Sequence, residues 1–399
     1  MTDLPCLRLK KNEDRRLRSG HLWIFSNEVD TATTPLKGLT PGELVRIENV
    51  RGEPMGTAYV NPDSLIAARL LSRDPRAVIH RQFILKRLER ALALREWAYG
   101  APFYRLVHGE SDGLPGLVID RFGDVLVVQT NTAGMERLQP LIIEALAEKF
   151  APRAVVIRNT SGLRALEGLA DETRVALGEL DGPVEIEENG ARFLIDPLHG
   201  QKTGWFFDHR DNRRALARWC RGKRVLDLFA YTGAWSLPAA LQGAASIDCV
   251  DASAPALDLA AANARLNRVD DRIACHCADV FDFLKQARES RQQFDVIVVD
   301  PPAFIKRKKD ATKGIEAYRR LNQAALQVLA PGGLLVSASC SFHLSRDTLH
   351  DLLRASARHL DRHLLFVASG GQAADHPIHP AIPETDYLKA FFCQVGPSL

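Results

Sequence analysis

The sequence predicts an α/β protein whose C-terminal part is a doubly wound, mostly parallel sheet, preceded by two smaller domains. Three apolar segments lead into polar or glycine-rich residues: Arg224-Val-Leu-Asp-Leu-Phe229, Phe294-Asp-Val-Ile-Val-Val-Asp300 and the strand that ends at Ser337-Ala-Ser-Cys-Ser341. Helical and extended patterns alternate from about residue 207 onward, which is typical of doubly wound domains. Ligands of such sheets bind at the carboxyl ends of the strands, so we expect the functional site there.

Residues 1–75 are predicted to form a small β-rich domain. Glycines separate short apolar strands, and Asp74-Pro75 ends the region. The expected strands are 44–47, 56–60 and 65–71.

Residues 76–182 are predicted to form a small central α/β domain. Its first helix has apolar residues at helical spacing, and a hairpin turns at Phe122-Gly123-Asp124. The expected elements are helix 78–99, strands 117–120 and 125–128, helix 135–150 and strand 154–157.

Residues 183–399 are predicted to form the last domain. A hairpin around Asn189-Gly190 opens it, because Asn-Gly favours the tight turn between two antiparallel strands. The expected helices are 210–218, 234–242, 254–267, 280–288, 314–329 and 345–359. The expected strands are 224–229, 246–250, 272–276, 294–299, 333–338, 363–368 and 388–395.

Composition excludes several classes of protein. A hydrophobic content of 46% and a charged content of 25% are those of a globular chain, and no apolar segment has the length of a membrane span or a signal peptide. Seven scattered cysteines indicate reduced thiols in a cytoplasm rather than a disulfide framework. Cys275-His-Cys277 has no partner pair at zinc-site spacing, so we expect a core strand there and no metal.

A cofactor site is predicted at successive strand ends. The turn Asp227-Leu-Phe-Ala-Tyr-Thr-Gly233 is neither a dinucleotide fingerprint nor a phosphate-binding loop, which favours S-adenosylmethionine. Asp251 is expected to accept from the ribose and Asp279 from the adenine amine, although either is equally explained as a helix N-cap. A further segment lies just before the last domain's alternating elements and has the sequence Gln201-Lys-Thr-Gly-Trp-Phe-Phe-Asp208. We interpret it either as a segment that covers the cofactor or as a loop that packs between domains. The predicted cofactor-binding residues are Gln201, Lys202, Thr203, Asp227, Phe229, Tyr231, Thr232, Gly233, Asp251, Asp279 and Asp300.

The residues at two further strand ends indicate which reaction the protein catalyses. Asp300-Pro-Pro-Ala-Phe304 offers a carboxylate for a ring nitrogen, the stiff Pro301 and Pro302, and an aromatic ring, which either stacks on a base or packs in the loop. Cys340 is flanked by serines at a strand end, which favours a nucleophile over a buried apolar cysteine. A thiolate that adds to carbon 6 of a pyrimidine makes carbon 5 nucleophilic, so Cys340 is a predicted catalytic residue. Asp300 is the other, because its carboxylate can form a hydrogen bond with the base.

Two short basic clusters predict contacts with nucleic-acid phosphates. The net charge is only +3, so local clustering carries this inference. The first cluster is explained about equally well as a solvated surface, whereas the second directly follows Pro302. The residues concerned are Lys10, Arg15 and Arg18 in the first cluster and Lys306 and Arg307 in the second.

These motifs closely resemble the RlmI family of bacterial 23S ribosomal RNA cytosine-5 methyltransferases. The resemblance spans nearly the whole chain, and its most specific blocks are Arg18-Ser-Gly-His-Leu-Trp-Ile-Phe-Ser-Asn-Glu28, Glu110-Ser-Asp-Gly-Leu-Pro-Gly116 and Gly200-Gln-Lys-Thr-Gly-Trp-Phe-Phe-Asp208. It implies an N-terminal PUA domain, a central α/β domain and a Rossmann-like class I methyltransferase domain. It also implies methyl transfer from S-adenosylmethionine to a cytosine of 23S ribosomal RNA or of a large-subunit precursor, with Cys340 as the nucleophile.

Three alternatives stay open at the level of sequence. Pro302 stands where many RNA cytosine-5 methyltransferases carry a second cysteine, so a 5-methyluridine enzyme is one alternative, and the base that removes the carbon 5 proton is unidentified. Methylation of an exocyclic amine of adenine or guanine would need Asp300 but not Cys340. A non-catalytic ribosome-assembly factor would need neither. The oligomeric state is also open, a homodimer included.

Overall fold

The computed structural model describes residues 4–398, which form two compact units. The first comprises the described residues up to Val184 together with Asp196–Trp205 and Ala374–Thr385. The second comprises Glu185–Ile195, Phe206–Ala373 and the described residues from Asp386 onward. Residues 1–3 of the predicted first domain and residue 399 of the last lie outside the described residues. Within the described part of the chain, no helix is long and apolar enough to cross a membrane.

The first unit begins with a five-stranded sheet in the order β1-β3-β4-β5-β2. The three predicted strands of this region are confirmed as β3, β4 and β5. The outer two strands have three residues each, too few to show a periodic pattern, and the sequence did not predict them. The elements are β1 (Cys6–Arg8), α1 (Arg15–Arg18), β2 (Trp23–Phe25), β3 (Leu44–Glu48), β4 (Pro54–Val60) and β5 (Ile66–Ser72).

The same unit contains a second five-stranded sheet, in the order β10-β9-β8-β7-β6, with two long helices packed against it. The predicted hairpin is confirmed, since Phe122 of β7 pairs with Val125 of β8 in antiparallel register. Strands β8 and β9 are parallel and connected through α3. The elements are α2 (Arg81–Ala98), β6 (Phe103–His108), β7 (Leu117–Phe122), β8 (Val125–Thr130), α3 (Ala133–Phe150), β9 (Ala154–Asn159), α4 (Leu163–Leu166) and β10 (Glu172–Gly178).

Two segments that the sequence assigned to the last domain contribute to this first unit. The Thr203 hydroxyl donates to Oδ2 of Asp120 at 2.5 Å. Asp375 accepts from Arg95 Nη2 through its carbonyl at 2.8 Å and from the Arg105 amide through Oδ2 at 3.0 Å. These contacts join residues far apart in sequence, so no local pattern could predict them. The division into three domains remains a prediction.

The second unit begins with the predicted Asn-Gly hairpin, β11 (Val184–Glu188) and β12 (Ala191–Ile195). Asn189 and Gly190 both have positive φ, 54° and 77°, as a tight type I′ turn requires. The helices that follow are α5 (Arg210–Ala217), α6 (Ser236–Leu241), α7 (Ala254–Leu266), α8 (Val280–Glu289), α9 (Ala311–Val328) and α10 (Arg346–His359). The strands are β13 (Arg224–Leu228), β14 (Ser246–Asp251), β15 (Ile273–Cys277), β16 (Phe294–Val299), β17 (Leu329–Ser339), β18 (Arg362–Gly370) and β19 (Lys389–Pro397).

These seven strands form one sheet in the order β15-β14-β13-β16-β17-β19-β18. The first five are mutually parallel, whereas β19 is antiparallel to both of its neighbours, which confirms a doubly wound, mostly parallel sheet. Alternate residues of the central strands enter two different core clusters, one on each face: Leu226, Val250 and Ile297 in one and Val225, Cys249 and Val298 in the other. Burial on both faces explains why these strands are almost continuously apolar.

The expectation of a core strand at Cys275-His-Cys277 was wrong. Strand β15 is an edge of the sheet, and both thiols are exposed. Cys249 and Cys393 are buried, as their apolar strands predicted.

We expect Gly134→Ala to lower the free energy of unfolding by about 1–3 kcal/mol because of overpacking. Gly134 lies in α3, where alanine normally stabilises a helix by about 1 kcal/mol. Here, however, an added Cβ would lie 2.1 Å from Cγ of the fully buried Tyr59. The Tyr59 ring cannot move freely, since its hydroxyl donates to the Pro115 carbonyl at 2.7 Å.

Denaturant titration of this variant beside Gly162→Ala measures the effect. Gly162 has a φ of −60° and no atom within 4 Å of an added Cβ, so its substitution should change stability little. A stabilised Gly134→Ala would contradict the packing described for α3 and β4.

Candidate active site

The carboxyl ends of the five parallel strands lie along one edge of the sheet and carry the residues that the sequence singled out. Asp227 lies at the end of β13, Asp251 at the end of β14, Asp279 after β15, Asp300 after β16 and Cys340 after β17. Asp227 interacts electrostatically with both Asp251 and Asp300. The structure therefore brings at least these three carboxyl groups together.

The loop after β13 has an unusual backbone. Phe229 and Tyr231 have positive φ values of 63° and 50°, which cost energy for residues other than glycine, and Gly233 has a φ of 80°. Asp251 stabilises this conformation, because its Oδ2 accepts from the Tyr231 amide at 3.0 Å and its Oδ1 from the Ser253 amide at 2.8 Å. Asp251 thus shapes the loop, and each oxygen keeps a lone pair for a further donor.

Two polar atoms in and beside this loop are buried and lack a protein partner among the described residues. They are Oδ1 of Asp227 and the hydroxyl of Thr232. The other oxygen of Asp227 accepts from the Ser236 hydroxyl at 2.6 Å. Complete burial, together with the negative charges of Asp300 and Asp251, raises the pKa of Asp227 to about 7. Orphaned acceptors and donors in a tight loop fit a polar ligand such as the amino-acid end of S-adenosylmethionine.

Asp300 occupies the next strand end as a carboxylate. Its Oδ2 accepts from the Trp235 indole at 3.0 Å, and Nε2 of His209 lies 3.2 Å from Oδ1. Burial opposes the charge, but His209 and Trp235 outweigh burial and lower the pKa of Asp300. An ionised Asp300 accepts hydrogen bonds and does not donate them.

Asn212 determines which nitrogen of His209 carries the proton. The Asn212 amide nitrogen donates to the Gly371 carbonyl at 2.9 Å and lies 3.0 Å from Nδ1 of His209. An amide nitrogen only donates, so Nδ1 accepts and the ring proton resides on Nε2, the atom near Asp300.

Asp279 is the N-cap of α8. Its Oδ1 accepts from the amides of Phe281 and Asp282 at 2.8 and 3.2 Å, so the capping interpretation of this residue is confirmed. Its second role as an adenine acceptor remains a prediction.

Cys340 is half-buried at the end of β17, in a loop held by hydrogen bonds. The Ser341 hydroxyl accepts from the Ile305 amide at 3.3 Å and lies 3.0 Å from the Tyr318 hydroxyl. Ser339 donates to the same tyrosine at 2.9 Å. Ser341 therefore joins the cysteine loop to the segment that follows Asp300, and Tyr318 joins that loop to α9.

The segment after Asp300 borders a groove of about 630 Å³ lined by Phe304, Lys306, Arg307 and Lys313 among others. The Phe304 ring centroid lies 4.8 Å from that of Tyr318, so loop packing is observed, and stacking on a base remains a prediction. Pro301 is buried and Pro302 exposed. Lys306 and Arg307 are exposed, with Arg307 Nε 3.0 Å from Asp310 Oδ2.

Six other predicted residues belong to the first unit. Gln201 and Lys202 are exposed, and the buried Thr203 bonds to Asp120. Lys10, Arg15 and Arg18 are exposed on and before α1, with Lys10 donating to the Asn27 carbonyl at 2.8 Å and Arg18 to Asp14 at 2.7 Å. Their predicted roles towards cofactor and RNA are not tested by these contacts.

Sequence reasoning missed His209, Trp235, Tyr318 and Lys389. All four side chains are polar or aromatic, and three of them, Trp235, Tyr318 and Lys389, lie in elements that the sequence predicted as ordinary helices or strands. His209 directly follows the Gln201–Asp208 block, and that position was a signal for its role. Lys389 was a charged residue at the start of an otherwise apolar strand, a second signal that was not used.

Comparisons with known families agree with this geometry. Residues 7–73 match the model of a PUA-like domain, and residues 171–391 match that of an S-adenosylmethionine-dependent methyltransferase. The second match confirms S-adenosylmethionine as the predicted cofactor.

Similar proteins cover nearly the whole chain. Ribosomal RNA large subunit methyltransferase I of Shewanella denitrificans is 39% identical over 98% of this chain and 99% of its own length. The protein of the same name from Cronobacter sakazakii is 37% identical over 97% of this chain and 98% of its own. The crystal structure of SMU.776 complexed with SAH has the same fold, with a TM-score of 0.83 at 21% identity over 98% of this chain and 100% of that chain.

We expect Asp227→Asn to stabilise the ligand-free protein above neutral pH. The folded-state pKa of Asp227 is about 7, above its ordinary value of 3.8, so the folded protein holds this proton more tightly than the unfolded chain. Its stabilising contribution is complete below pH 4 and is lost as the pH rises towards 7. At pH 8 the asparagine variant should exceed the wild type by roughly 2–4 kcal/mol in the free energy of unfolding, yet bind S-adenosylmethionine more weakly.

Asp295→Asn is the matched control. A hydrogen bond from Arg224 lowers the pKa of Asp295, so its contribution to stability is lost as the pH falls, the opposite direction. Denaturant titration of the three proteins from about pH 2.5 to 8 measures both slopes, since the contribution of Asp295 changes only below its ordinary pKa of 3.8. A difference between wild type and Asp227→Asn that does not vary with pH would refute the assignment.

Proposed function

Because this chain belongs to the ribosomal RNA large subunit methyltransferase I family, as its motifs predicted, we propose that it methylates carbon 5 of one cytosine in 23S ribosomal RNA. The methyl donor is S-adenosylmethionine, and Cys340 is the nucleophile that activates the base. The observation that carries the proposal is Cys340 itself, at the strand end beside the one that bears Asp300, in a loop tied to the Asp300 segment through Ser341 and Tyr318.

S-adenosylmethionine supplies a methyl group on a positively charged sulfur, which a carbon nucleophile can take. Asp227, Thr232 and Asp251 would hold it, because the first two carry unpartnered buried polar atoms and the third retains free lone pairs at the same loop. The positive φ values at Phe229 and Tyr231 support this proposal, since such strained backbone is concentrated at ligand sites. The roles of Gln201, Lys202 and Asp279 towards the cofactor belong to the same proposal.

Cys340 performs the step that carbon 5 of a cytosine needs. The Cys340 thiolate adds to carbon 6, and the electrons displaced by this addition make carbon 5 nucleophilic. After methylation, carbon 5 loses its proton to a base and the thiolate leaves carbon 6. The cytosine must be turned out of its stack to present carbon 6 to the sulfur.

Asp300 orients the base in this proposal. As a carboxylate held by Trp235 and His209, it accepts a hydrogen bond from the exocyclic amine of cytosine, or from the ring N–H of uracil in the alternative enzyme. The low pKa of Asp300 argues against its donating a proton to the ring nitrogen of cytosine.

The basic groove beside Phe304 supports binding of RNA near the reacting base. Lys306, Arg307 and Lys313 line it, and cations at this density neutralise phosphates. The PUA-like match over residues 7–73 supports a second contact through Lys10, Arg15 and Arg18.

We expect Cys340→Ala to abolish methyl transfer while leaving the affinity for S-adenosylmethionine unchanged. Ribosomal RNA carrying 5-fluorocytidine at the target should trap the wild-type protein covalently, since fluorine cannot leave as a cation. Methylation assays, calorimetry with the cofactor and denaturing gels test these three statements. Cys220→Ala, at a buried thiol outside the edge that bears Cys340, is the control and should retain activity.

Two other results would change the proposal. Efficient methylation by Cys340→Ala would favour transfer to an exocyclic amine of adenine or guanine. A covalent trap that forms only with 5-fluorouridine would keep the nucleophile and change the base.

We expect the double variant Lys306→Ala/Arg307→Ala to bind RNA more weakly and with less dependence on salt. Each lost phosphate contact should reduce the slope of log affinity against log salt by about 0.7 for single-stranded RNA. Filter binding at several salt concentrations, beside Lys285→Ala/Arg288→Ala on α8, measures this. Equal slopes for the two double variants would remove the groove from the interface.

A further inference from the structure

We propose that Lys389 is a positioning residue that takes the proton of the Cys340 thiol and then stabilises the thiolate as an ammonium ion. This inference rests on the proposed function and identifies the group that activates its nucleophile. Lys389 begins β19, the antiparallel strand, and its backbone pairs with that of Ser339, the residue before Cys340.

The contacts of Lys389 suit an amine that exchanges a proton. Its Nζ donates to the Ser341 carbonyl at 2.7 Å and to the Tyr387 carbonyl at 2.8 Å, and the residue is only 5% exposed. Two donated protons satisfy a neutral amine completely and leave its lone pair available, whereas an ammonium ion keeps one further proton to donate. Nζ therefore fits this site in both protonation states.

No carboxylate in the described part of the chain lies within ion-pair distance of Lys389. A buried lysine without an acidic partner is costly, and such residues concentrate at functional sites. The charged group that interacts most with Lys389 is Cys340, followed by Asp386 and Arg346. Tyr318 on α9 also interacts electrostatically with Cys340.

Burial and these groups together determine the pKa of Lys389. Burial lowers it to about 8, against the opposing effect of the Cys340 and Asp386 charges. Coulombic interactions are reciprocal, so the ammonium ion stabilises the thiolate of Cys340 as much as the thiolate stabilises the ammonium ion.

The proposed step balances in protons and electrons. The S–H bond of Cys340 breaks, its proton passes to Nζ of Lys389, and the sulfur keeps the electron pair. That pair forms the bond to carbon 6. When carbon 5 later loses its proton, the sulfur–carbon bond breaks and the thiolate returns to the ammonium ion. Lys389 is already protonated at that point, so another base takes the carbon 5 proton.

Alkylation of Cys340 by iodoacetamide, followed peptide by peptide from pH 5.5 to 10, tests the proposal without RNA. In Lys389→Met we expect at least a tenfold slower reaction at pH 7 and a midpoint at least one pH unit higher, because one pH unit corresponds to a tenfold change in thiolate population. Lys389→Arg should restore most of the alkylation rate, since this rate depends on the thiolate population, which a positive charge raises even though arginine cannot accept the thiol proton. The exposed Cys277 in the same digest is the internal reference, and Lys285→Met on α8 is the matched control.

An unchanged Cys340 profile in folded Lys389→Met would overturn the proposal. If that variant does not fold, the alkylation profile of the wild type decides the question. A pH midpoint for alkylation of Cys340 at or above about 8.5, the pKa of an ordinary thiol, would also overturn the proposal. Alkylation measures the thiol alone, so its result is separate from that of Cys340→Ala. Active Cys340→Ala together with lysine-dependent alkylation would refute the proposed function and leave the lysine–cysteine pair standing.

Discussion

The position of β13 between β14 and β16 is the constraint on which the rest of the site depends. All three strands are parallel and in continuous register, so their carboxyl ends lie at the same edge. Asp227 pairs with Cys249 on one side and Val298 on the other, which buries its carboxyl group completely. This carboxyl group accepts from the Ser236 hydroxyl and leaves its Oδ1 without a protein partner among the described residues.

The site contains ionisable groups that destabilise the folded protein. Asp227 has a raised pKa and Lys389 a lowered one, both because burial penalises their charged forms. Natural cores avoid such groups unless they are paired, and proteins keep them where function requires them. The positive φ values at Phe229 and Tyr231 are a further cost at the same loop. The remaining stability comes from the apolar clusters on both faces of the sheet.

Asp300 and Cys340 differ in how their environments tune them. Trp235 and His209 favour the charged form of Asp300, so this residue is a fixed acceptor. The neighbourhood of Cys340 contains hydroxyl groups and a buried amine, and in our proposal the thiol proton passes to that amine. A fixed acceptor suits recognition of a base, and a group whose proton can move suits the formation and cleavage of a covalent bond.

The sequence by itself determined the parallel sheet, the Asn-Gly hairpin and which polar residue follows each strand. These features depend on local patterns: apolar runs, turn residues, and the polar residue that follows each strand. Only the tertiary structure decided that Asp279 caps a helix, that Cys275 and Cys277 are exposed on an edge strand, and that residues 374–385 pack with the first unit. Only the tertiary structure also brought His209 to Asp300, and Lys389 to the loop of Cys340. The contacts of His209 and Lys389 join residues that are distant in the chain. Their geometry depends on strand order and burial, which no local pattern encodes.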